Sequence, residues 1–311
     1  MTSLSNTKTK RAWRISFAPL CCILLLPLML FLGDGLKEGV SSGLSLSLST
    51  IIPTLFPFFI ISDLWSCVMT CKEDGALGKL FNKFFGLPAT LLPAFVLGTV
   101  CGFPLGVNAA VVHYKSGNLS KKELEGFCGS GNNPSLAFVI SGIGAGLWSD
   151  VRLGVTLYIS VVLSAITVGI LFRRKQIDTN KTNVISRQNF SLVDSIKKAG
   201  LSSMAVSSYI IFFSALIGVL KNLIKNPLLL TVLSSILEIT NASSLAASLG
   251  DKFALSGQII TAFSLGFSGL SVHLQTLSIL PKEISTKRYF LMKLSQGILC
   301  SLFTFLSLLI K

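Results

Sequence analysis

Two residue clusters, Gly102-Phe103-Pro104-Leu105-Gly106 and Gly129-Ser130-Gly131-Asn132-Asn133-Pro134, interrupt the apolar stretch between residues 91 and 147. Neither cluster suits a plain transmembrane helix, because glycine and proline weaken helices and lipid cannot hydrogen-bond the backbone groups that a break exposes. A second apolar stretch, residues 228–280, is interrupted by Leu237-Glu238-Ile239-Thr240-Asn241 and by Leu265-Gly266-Phe267-Ser268-Gly269. Matching breaks in the two halves of a chain are typical of a transporter's binding site.

Composition places the chain in a membrane. Of its 311 residues 51% are hydrophobic and only 13% are charged, whereas soluble domains average about 25% charged residues. Mean hydropathy is +0.72. We therefore predict an all-α, polytopic helical membrane protein with about 8–10 hydrophobic elements, some of them broken or re-entrant. The candidate elements are residues 15–33, 46–69, 88–113, 136–148, 153–172, 209–220, 228–249, 259–280 and 290–310.

The formal net charge of +14 does not indicate a nucleic-acid partner. Lysine and arginine fall in the loops, as the positive-inside rule requires, and no aromatic-interleaved basic surface is present. The seven cysteines are scattered through apolar segments without a zinc-ligand pattern, so we expect buried thiols, no metal and no cofactor. The expected partners are the lipid bilayer and a small polar solute, and homo-oligomerisation is left open.

Loop charge divides the chain into four parts. Residues 1–40 are an N-terminal tail and an uncleaved first transmembrane helix, with the N-terminus in the cytoplasm. Residues 41–172 form a first membrane half, and residues 173–198 a strongly basic cytoplasmic loop. Residues 199–311 form the second half. The segment 192–206 is mildly amphipathic and is predicted to lie along the membrane surface before the next span.

The same charges predict a re-entrant hairpin. Loops 70–87 and 115–125 are both basic, so both are expected on the cytoplasmic side of a bacterial cell membrane. The segment between them, 88–114, then starts and ends on one side. It should turn at Gly102-Phe103-Pro104, where the helix breakers lie.

The two halves resemble each other weakly, which indicates an internal repeat. Phe95-Val96-Leu97-Gly98 matches Phe263-Ser264-Leu265-Gly266, and each is followed by a glycine-broken apolar stretch. An inverted repeat would place loop 282–293 outside the cell, yet that loop carries four basic residues. Charge and inversion conflict here, and the sequence leaves the conflict open.

Glu238 is the foremost candidate for a solute ligand. A carboxyl at membrane depth costs about 3 kcal/mol unless it faces a cavity or a partner. Thr240 and Asn241 follow at once and add hydroxyl and amide groups. The alternative is a protonated glutamic acid that is hydrogen-bonded to a neighbouring helix.

Asn132 and Asn133 are further candidates. They precede Pro134, and a helix that begins at Pro134 inside the bilayer would point its positive dipole end at a bound solute. The alternative is an ordinary loop with a helix start near the interface.

Glycine and proline are predicted to shape two hairpins, Gly102, Pro104 and Gly106 the first and Gly266 and Gly269 the second. Asn108, beside the first turn, is another candidate solute ligand. Tight helix packing explains the glycines equally well. No nucleophile triad, catalytic carboxylate pair or phosphate loop is present, so the sequence does not predict an enzyme.

The order of these motifs resembles the YlbJ sporulation integral membrane proteins and, more widely, the gate or nucleoside-recognition superfamily. The likeness extends over about residues 45–305. It implies gate-type membrane halves, a role in spore cortex formation in spore-forming Firmicutes, and transport of a solute that is nucleoside-like in some relatives. The family's motif positions map onto Gly102, Pro104, Gly106, Asn132, Asn133, Glu238, Thr240 and Asn241.

Two functions compete at this stage. The first is a transporter or permease of a small polar solute, and the second is a non-transporting membrane factor that supports spore envelope assembly through protein partners. A polar cavity that joins Glu238, Asn241 and Asn132 would favour transport, whereas dry packing around them would favour the structural factor.

Overall fold

A computed structural model describes residues 33–68, 75–173 and 191–310. Within those ranges every regular element is helical, which confirms the predicted all-α polytopic fold. Most of the predicted 15–33 span, and with it the predicted cytoplasmic N-terminus, lies outside the described residues.

The first half contains a long helix, a hairpin, a broken span and a second long helix. The long helix combines α1, a π-helical turn and α2, and Gly33–Leu64 within it is long and apolar enough to cross a membrane. The elements are α1 (Gly33–Leu46), the π turn (Ser47–Ile51), α2 (Ile52–Val68), α3 (Ala76–Phe85), a 3₁₀ turn (Ala89–Leu91), α4 (Leu92–Val100), α5 (Leu105–Lys115), α6 (Lys121–Phe127), a π-helical segment (Phe138–Leu147) and α7 (Val151–Leu171).

The second half repeats that order. Its long helices α8 and α13 and the broken pair α11–α12 are each long enough to span a bilayer. The elements are α8 (Leu192–Leu223), α9 (Pro227–Leu237), α10 (Ile239–Ala247), a 3₁₀ turn (Asp251–Phe253), α11 (Ala254–Phe267), α12 (Gly269–Ile279) and α13 (Lys287–Leu309).

The predicted surface helix at 192–206 is wrong, because these residues are the first part of the continuous helix α8. Small residues on one side of α8, among them Ala199 and Ser203, are buried against neighbouring helices. Ser195 Oγ also donates to Asp63 Oδ2 over 2.5 Å, which ties the start of α8 to the end of α2. The packed small face stabilises α8 as part of the helix bundle.

Three contacts bring loops from both halves to one face of the bundle. Tyr114 at the end of α5 donates to Glu283 over 3.2 Å. The Ser285 N–H donates to the Glu125 carboxylate over 2.9 Å, and Arg288 donates to the carbonyl of Phe172 at the end of α7.

The predicted re-entrant hairpin returns to this same face. Phe85, at the end of α3, packs on Gly169 near the end of α7, where an added Cβ would lie 2.2 Å from the Phe85 ring. The bond from Tyr114 holds the other end of the hairpin at the same level. Both ends of residues 88–114 therefore lie on one face, and α3 bends by 97° into the following helix.

This face is much the more basic of the two, so the positive-inside rule predicts that it is cytoplasmic. Its described cations are Lys79, Lys83, Lys115, Lys121, Lys122, Arg173, Lys197, Lys198, Lys282, Lys287 and Arg288, and its described acidic residues are Asp63, Glu123, Glu125, Asp194 and Glu283. The opposite end has Lys37, Arg152, Lys221, Lys225 and Lys252, mixed with Asp34, Glu38, Asp150 and Asp251.

A second hairpin, α9–α10, enters from the opposite face. An added Cβ at Gly257 would lie 2.6 Å from the Ala246 carbonyl, and one at Gly269 would lie 3.3 Å from the Glu238 Cα. Because α11 runs from Gly257 towards Gly269, α10 runs antiparallel to it, back to the face from which α9 came. The two halves thus share one order of elements in opposite orientations.

The sequence match between residues 95–98 and 263–266 does not pair equivalent segments of this repeat. Gly98 lies in the first hairpin, whereas Gly266 lies in the last turn of α11 in a broken span, so these segments are not equivalent. Gly266 and Gly269 accordingly do not shape a hairpin: Asp251–Ile279 runs on as one span, with φ of 78° and 61° at Ser268 and Gly269. In the structure the broken span of one half corresponds to the broken span of the other half, and the hairpin to the hairpin. An inverted repeat with this pairing no longer places loop 282–293 outside the cell, so the conflict with its basic residues disappears.

Candidate functional site

The tips of both hairpins and both broken spans meet at one partly open cavity. Its volume is about 30 Å³, room for one or two water molecules. Apolar side chains of α2 and α8 form part of its wall. The polar residues that line it come from three separate segments: Ser135, Glu238, Thr240, Ser271 and Gln275.

The first hairpin reaches the cavity through Gly102 and Phe103. Gly102 has a φ of +91°, and an added Cβ would lie 2.7 Å from the Ser135 backbone nitrogen, so glycine is required both by conformation and by space. The Phe103–Pro104 peptide bond is cis. Glycine therefore lets the turn approach the broken span closely.

The arms of this hairpin also pack through glycine. Gly98 on α4 and Gly106 on α5 face each other, and an added Cβ would lie 2.1 Å and 2.3 Å respectively from the Gly131 carbonyl oxygen. Gly106, which was predicted to shape the hairpin, therefore also packs tightly, as small residues allow in membrane helices.

Glu238 connects α9 to α10 and caps the second helix. Its backbone is extended (φ −153°, ψ 131°), and its side chain is 2% exposed. Oε1 accepts from the Thr240 N–H over 2.9 Å and from its hydroxyl over 3.0 Å. Oε2 accepts from the Asn241 N–H over 2.7 Å and from its side-chain amide over 2.8 Å. The carboxylate thus binds the free N–H groups of a helix N-terminus, where negative charge is favoured.

Asn241 links this tip to a long helix. Its amide nitrogen donates to Ser214 Oγ on α8 over 2.7 Å as well as to Glu238. Asn241 does not line the cavity, whereas Glu238 and Thr240 do. We therefore assign to Asn241 the positioning of the Glu238 carboxylate.

Gln275 supplies the clearest unfilled hydrogen-bonding position at the cavity. Its side chain is 4% exposed, and Oε1 is buried with no hydrogen-bond partner among the described residues. Buried acceptors are normally paired, because an unpaired one costs about 1–3 kcal/mol. An acceptor in this state is suited to receive a donor from a polar ligand.

Asn132 and Asn133 lie in a second buried polar cluster, next to the cavity but not on its lining. Asn132 Nδ2 donates to Thr276 Oγ1 over 2.9 Å and to the Tyr289 hydroxyl over 3.2 Å. The Tyr289 hydroxyl in turn lies 2.8 Å from His273 Nδ1, within hydrogen-bonding distance. The broken span is therefore bound by side chains to α12 and α13.

The same cluster contains a lysine. Lys293 is fully buried, and its Nζ donates to the Asn132 carbonyl over 2.8 Å and to Gln296 Oε1 over 2.7 Å. Gln296 Nε2 then donates to Asn133 Oδ1 over 2.8 Å. Asn133 Nδ2 donates back to the Ser130 carbonyl over 2.8 Å. The polar groups of the break are thus joined in one network.

The predicted helix start at Pro134 is wrong. Residues 132–135 are non-helical, and the helix begins after Ser135, whose Oγ accepts from the Phe138 N–H over 3.2 Å. Both asparagine amides are engaged with α12, α13 and their own loop, so serine caps the helix. Asn108 also lies elsewhere: its side chain is exposed on α5 and does not reach the cavity.

The sequence reading missed Lys293, which it treated as a loop charge. The sequence contains a signal for this buried lysine. Side chains with polar groups recur at spacings of three and four residues along this apolar helix, at Tyr289, Lys293, Gln296, Cys300 and Thr304. Such a stripe predicts a polar face that is turned into the bundle. Among the described residues no group of acidic, cysteine and histidine side chains could hold a metal ion.

Comparison with known proteins supports the resemblance that the motifs predicted. The chain is 26% identical over 294 aligned residues to the sporulation integral membrane protein YlbJ of Bacillus subtilis (strain 168), and the alignment covers 80% of this chain and 72% of that protein. No protein-family profile matches the chain, and no solved structure matches it. The chain is thus YlbJ-like, and the wider gate superfamily stays a prediction.

Proposed function

We propose that the protein is a transporter of a small polar solute that binds where the two hairpin tips and the two broken spans meet. The observation that carries this proposal is the cavity that both Glu238 and the partnerless acceptor of Gln275 line. Two halves in opposite orientations, with broken helices around a central site, are the architecture of many secondary transporters.

The small cavity volume leaves no room for a large solute in this state. About 30 Å³ is far too little for a solute of nucleoside size. Solute entry therefore requires one hairpin to move away from its broken span. Each hairpin faces a different side of the membrane, so movement of one at a time would open the site to alternate sides.

A non-transporting role is the second candidate. It is favoured by the Glu238 cap and by the finding that Asn132 and Asn241 do not join Glu238 on the lining of the cavity. All four hydrogen bonds that Glu238 accepts come from its own helix start. A carboxylate that is so fully engaged can serve as a structural cap without ever meeting a solute. On this account the protein supports spore envelope assembly through protein partners.

Uptake into proteoliposomes separates these candidates. The purified protein is reconstituted and tested with a panel of labelled nucleosides, amino acids and sugars. Gln275→Leu removes the partnerless acceptor, and Gln258→Leu, a half-buried position outside the cavity, is the matched control. Loss of one hydrogen bond to solute should raise the KM roughly tenfold in Gln275→Leu alone. Absence of uptake for every solute would contradict transport.

We also propose a link to sporulation, which rests on the printed name of the relative. Expression of this chain in a Bacillus subtilis strain that lacks YlbJ should restore heat-resistant spores. If Gln275→Leu restores spores as fully as the unaltered chain although its uptake is weakened, the sporulation role is independent of transport. Failure of the unaltered chain, when present at normal membrane level, would contradict the link.

A further inference from the structure

Lys293 is the most unusual buried charge in the described part of the chain. It lies within the membrane-length helix α13, and its side chain has no solvent exposure. Charged side chains at membrane depth are rare and costly, and they usually pair with one another. Among the described residues no carboxylate pairs with Lys293, and the neighbours that accept from it are a carbonyl and an amide oxygen.

The carbonyl belongs to a helix break. Asn132 is in the non-helical stretch between α6 and the π-helical segment, so its carbonyl is not held in a helix ladder. In transporters with broken helices, such freed carbonyls coordinate the coupling cation. Here the oxygen that a free cation would use is 2.8 Å from the lysine nitrogen.

We infer that the Lys293 ammonium is a tethered cation that occupies, at the break of the first broken span, the position of a bound metal ion. It donates to the Asn132 carbonyl oxygen of the break and so holds Asn132 against α13. Gln296 completes the arrangement, since it accepts from Lys293 and donates to Asn133. A protein with its own cation at this position needs no sodium there.

Chemical rescue tests this assignment without any assay of transport. Lys293→Ala removes three carbons and the amine, a fragment with the shape of n-propylammonium. In detergent at constant ionic strength, its melting temperature should be lower than that of the unaltered protein in choline chloride. Propylammonium chloride should raise it. Lys287→Ala, an exposed position on the same helix, is the control and should show no rescue.

A second variant keeps the proposal decisive if Lys293→Ala fails to fold. Lys293→Met keeps most of the length of the side chain and removes the amine with its charge, so it should melt at lower temperature and should not respond to propylammonium. A Lys293→Met melting temperature equal to that of the unaltered protein would overturn the proposal. So would failure of propylammonium to raise the melting temperature of folded Lys293→Ala. The unaltered protein should melt equally in sodium and choline salts, and stabilisation by sodium would also overturn it.

One consequence rests on the proposed transport function. Uptake by the unaltered protein should be equal in sodium and choline buffers, because the cation is built in. Absence of uptake in both buffers would count against transport and leave the melting results to decide the role of Lys293. Uptake that requires sodium would count against the tethered cation and leave transport standing.

Discussion

Replacement of Glu238 by glutamine tests whether a carboxylate caps the second hairpin tip. Each carboxylate oxygen accepts two hydrogen bonds from the start of α10. Glutamine keeps one acceptor oxygen and turns an NH₂ group towards two donors. Loss of two such bonds should lower the free energy of unfolding by about 2–4 kcal/mol, or the melting temperature by roughly 3–6 °C.

The assay is thermal unfolding of the purified protein in detergent, beside Glu38→Gln as the matched control. Glu38 is exposed on α1, so the same chemical change there should leave the melting temperature unchanged. Glu238→Gln should also abolish uptake, because the tip that lines the cavity is displaced. Equal melting temperatures for the two variants would refute the capping role.

Two further predictions concern topology and packing. In a cysteine-free background, Lys83→Cys and Lys115→Cys should both resist a membrane-impermeant thiol reagent added from outside, because the hairpin between them starts and ends on the basic face; reaction of only one would exclude the hairpin. Gly106→Ala places a Cβ 2.3 Å from the Gly131 carbonyl and should destabilise the protein by about 1–3 kcal/mol in thermal unfolding. Gly200→Ala, in open space on a helix, should be neutral or stabilising, and equal melting temperatures for the two alanine variants would contradict the packing.

The sequence predicts the class of fold and the positions of its breaks because both depend on local chemistry. Glycine and proline at 102–106 and a carboxyl at 238 cannot continue a lipid-exposed helix, so breaks at these residues could be predicted without a structure. Loop charges predicted that residues 88–114 return to one face. These signals depend on residues that are close together along the chain, so a single sequence is enough to detect them.

The correspondence between the halves could not be predicted in this way. Short matches such as Phe95–Gly98 and Phe263–Gly266 record local preference for apolar and small residues, and such preference recurs in hairpin arms and broken spans alike. Only the packing of Gly257 on Ala246 and of Gly269 on Glu238 shows which segment turns back.

The hydrogen-bond partners of the buried polar groups could not be predicted from the sequence, for the same reason. Asn132 was grouped with Glu238 because both are polar at membrane depth. Its bonds reach Thr276 and Tyr289, which lie more than a hundred residues away along the chain. Local patterns in the sequence do not show which of several polar stripes faces a given break, since that choice depends on helix rotation and crossing.

Reversible cross-linking of the two hairpin tips tests transport through the central cavity most directly. Phe103→Cys and Thr240→Cys, both cavity positions, are combined in a cysteine-free background and joined with a reducible bifunctional methanethiosulfonate reagent. The account predicts that solute uptake into proteoliposomes stops when the tips are joined and returns after reduction, while each single variant with the same reagent retains uptake after the same reduction. Unchanged uptake by protein that is fully cross-linked would contradict it.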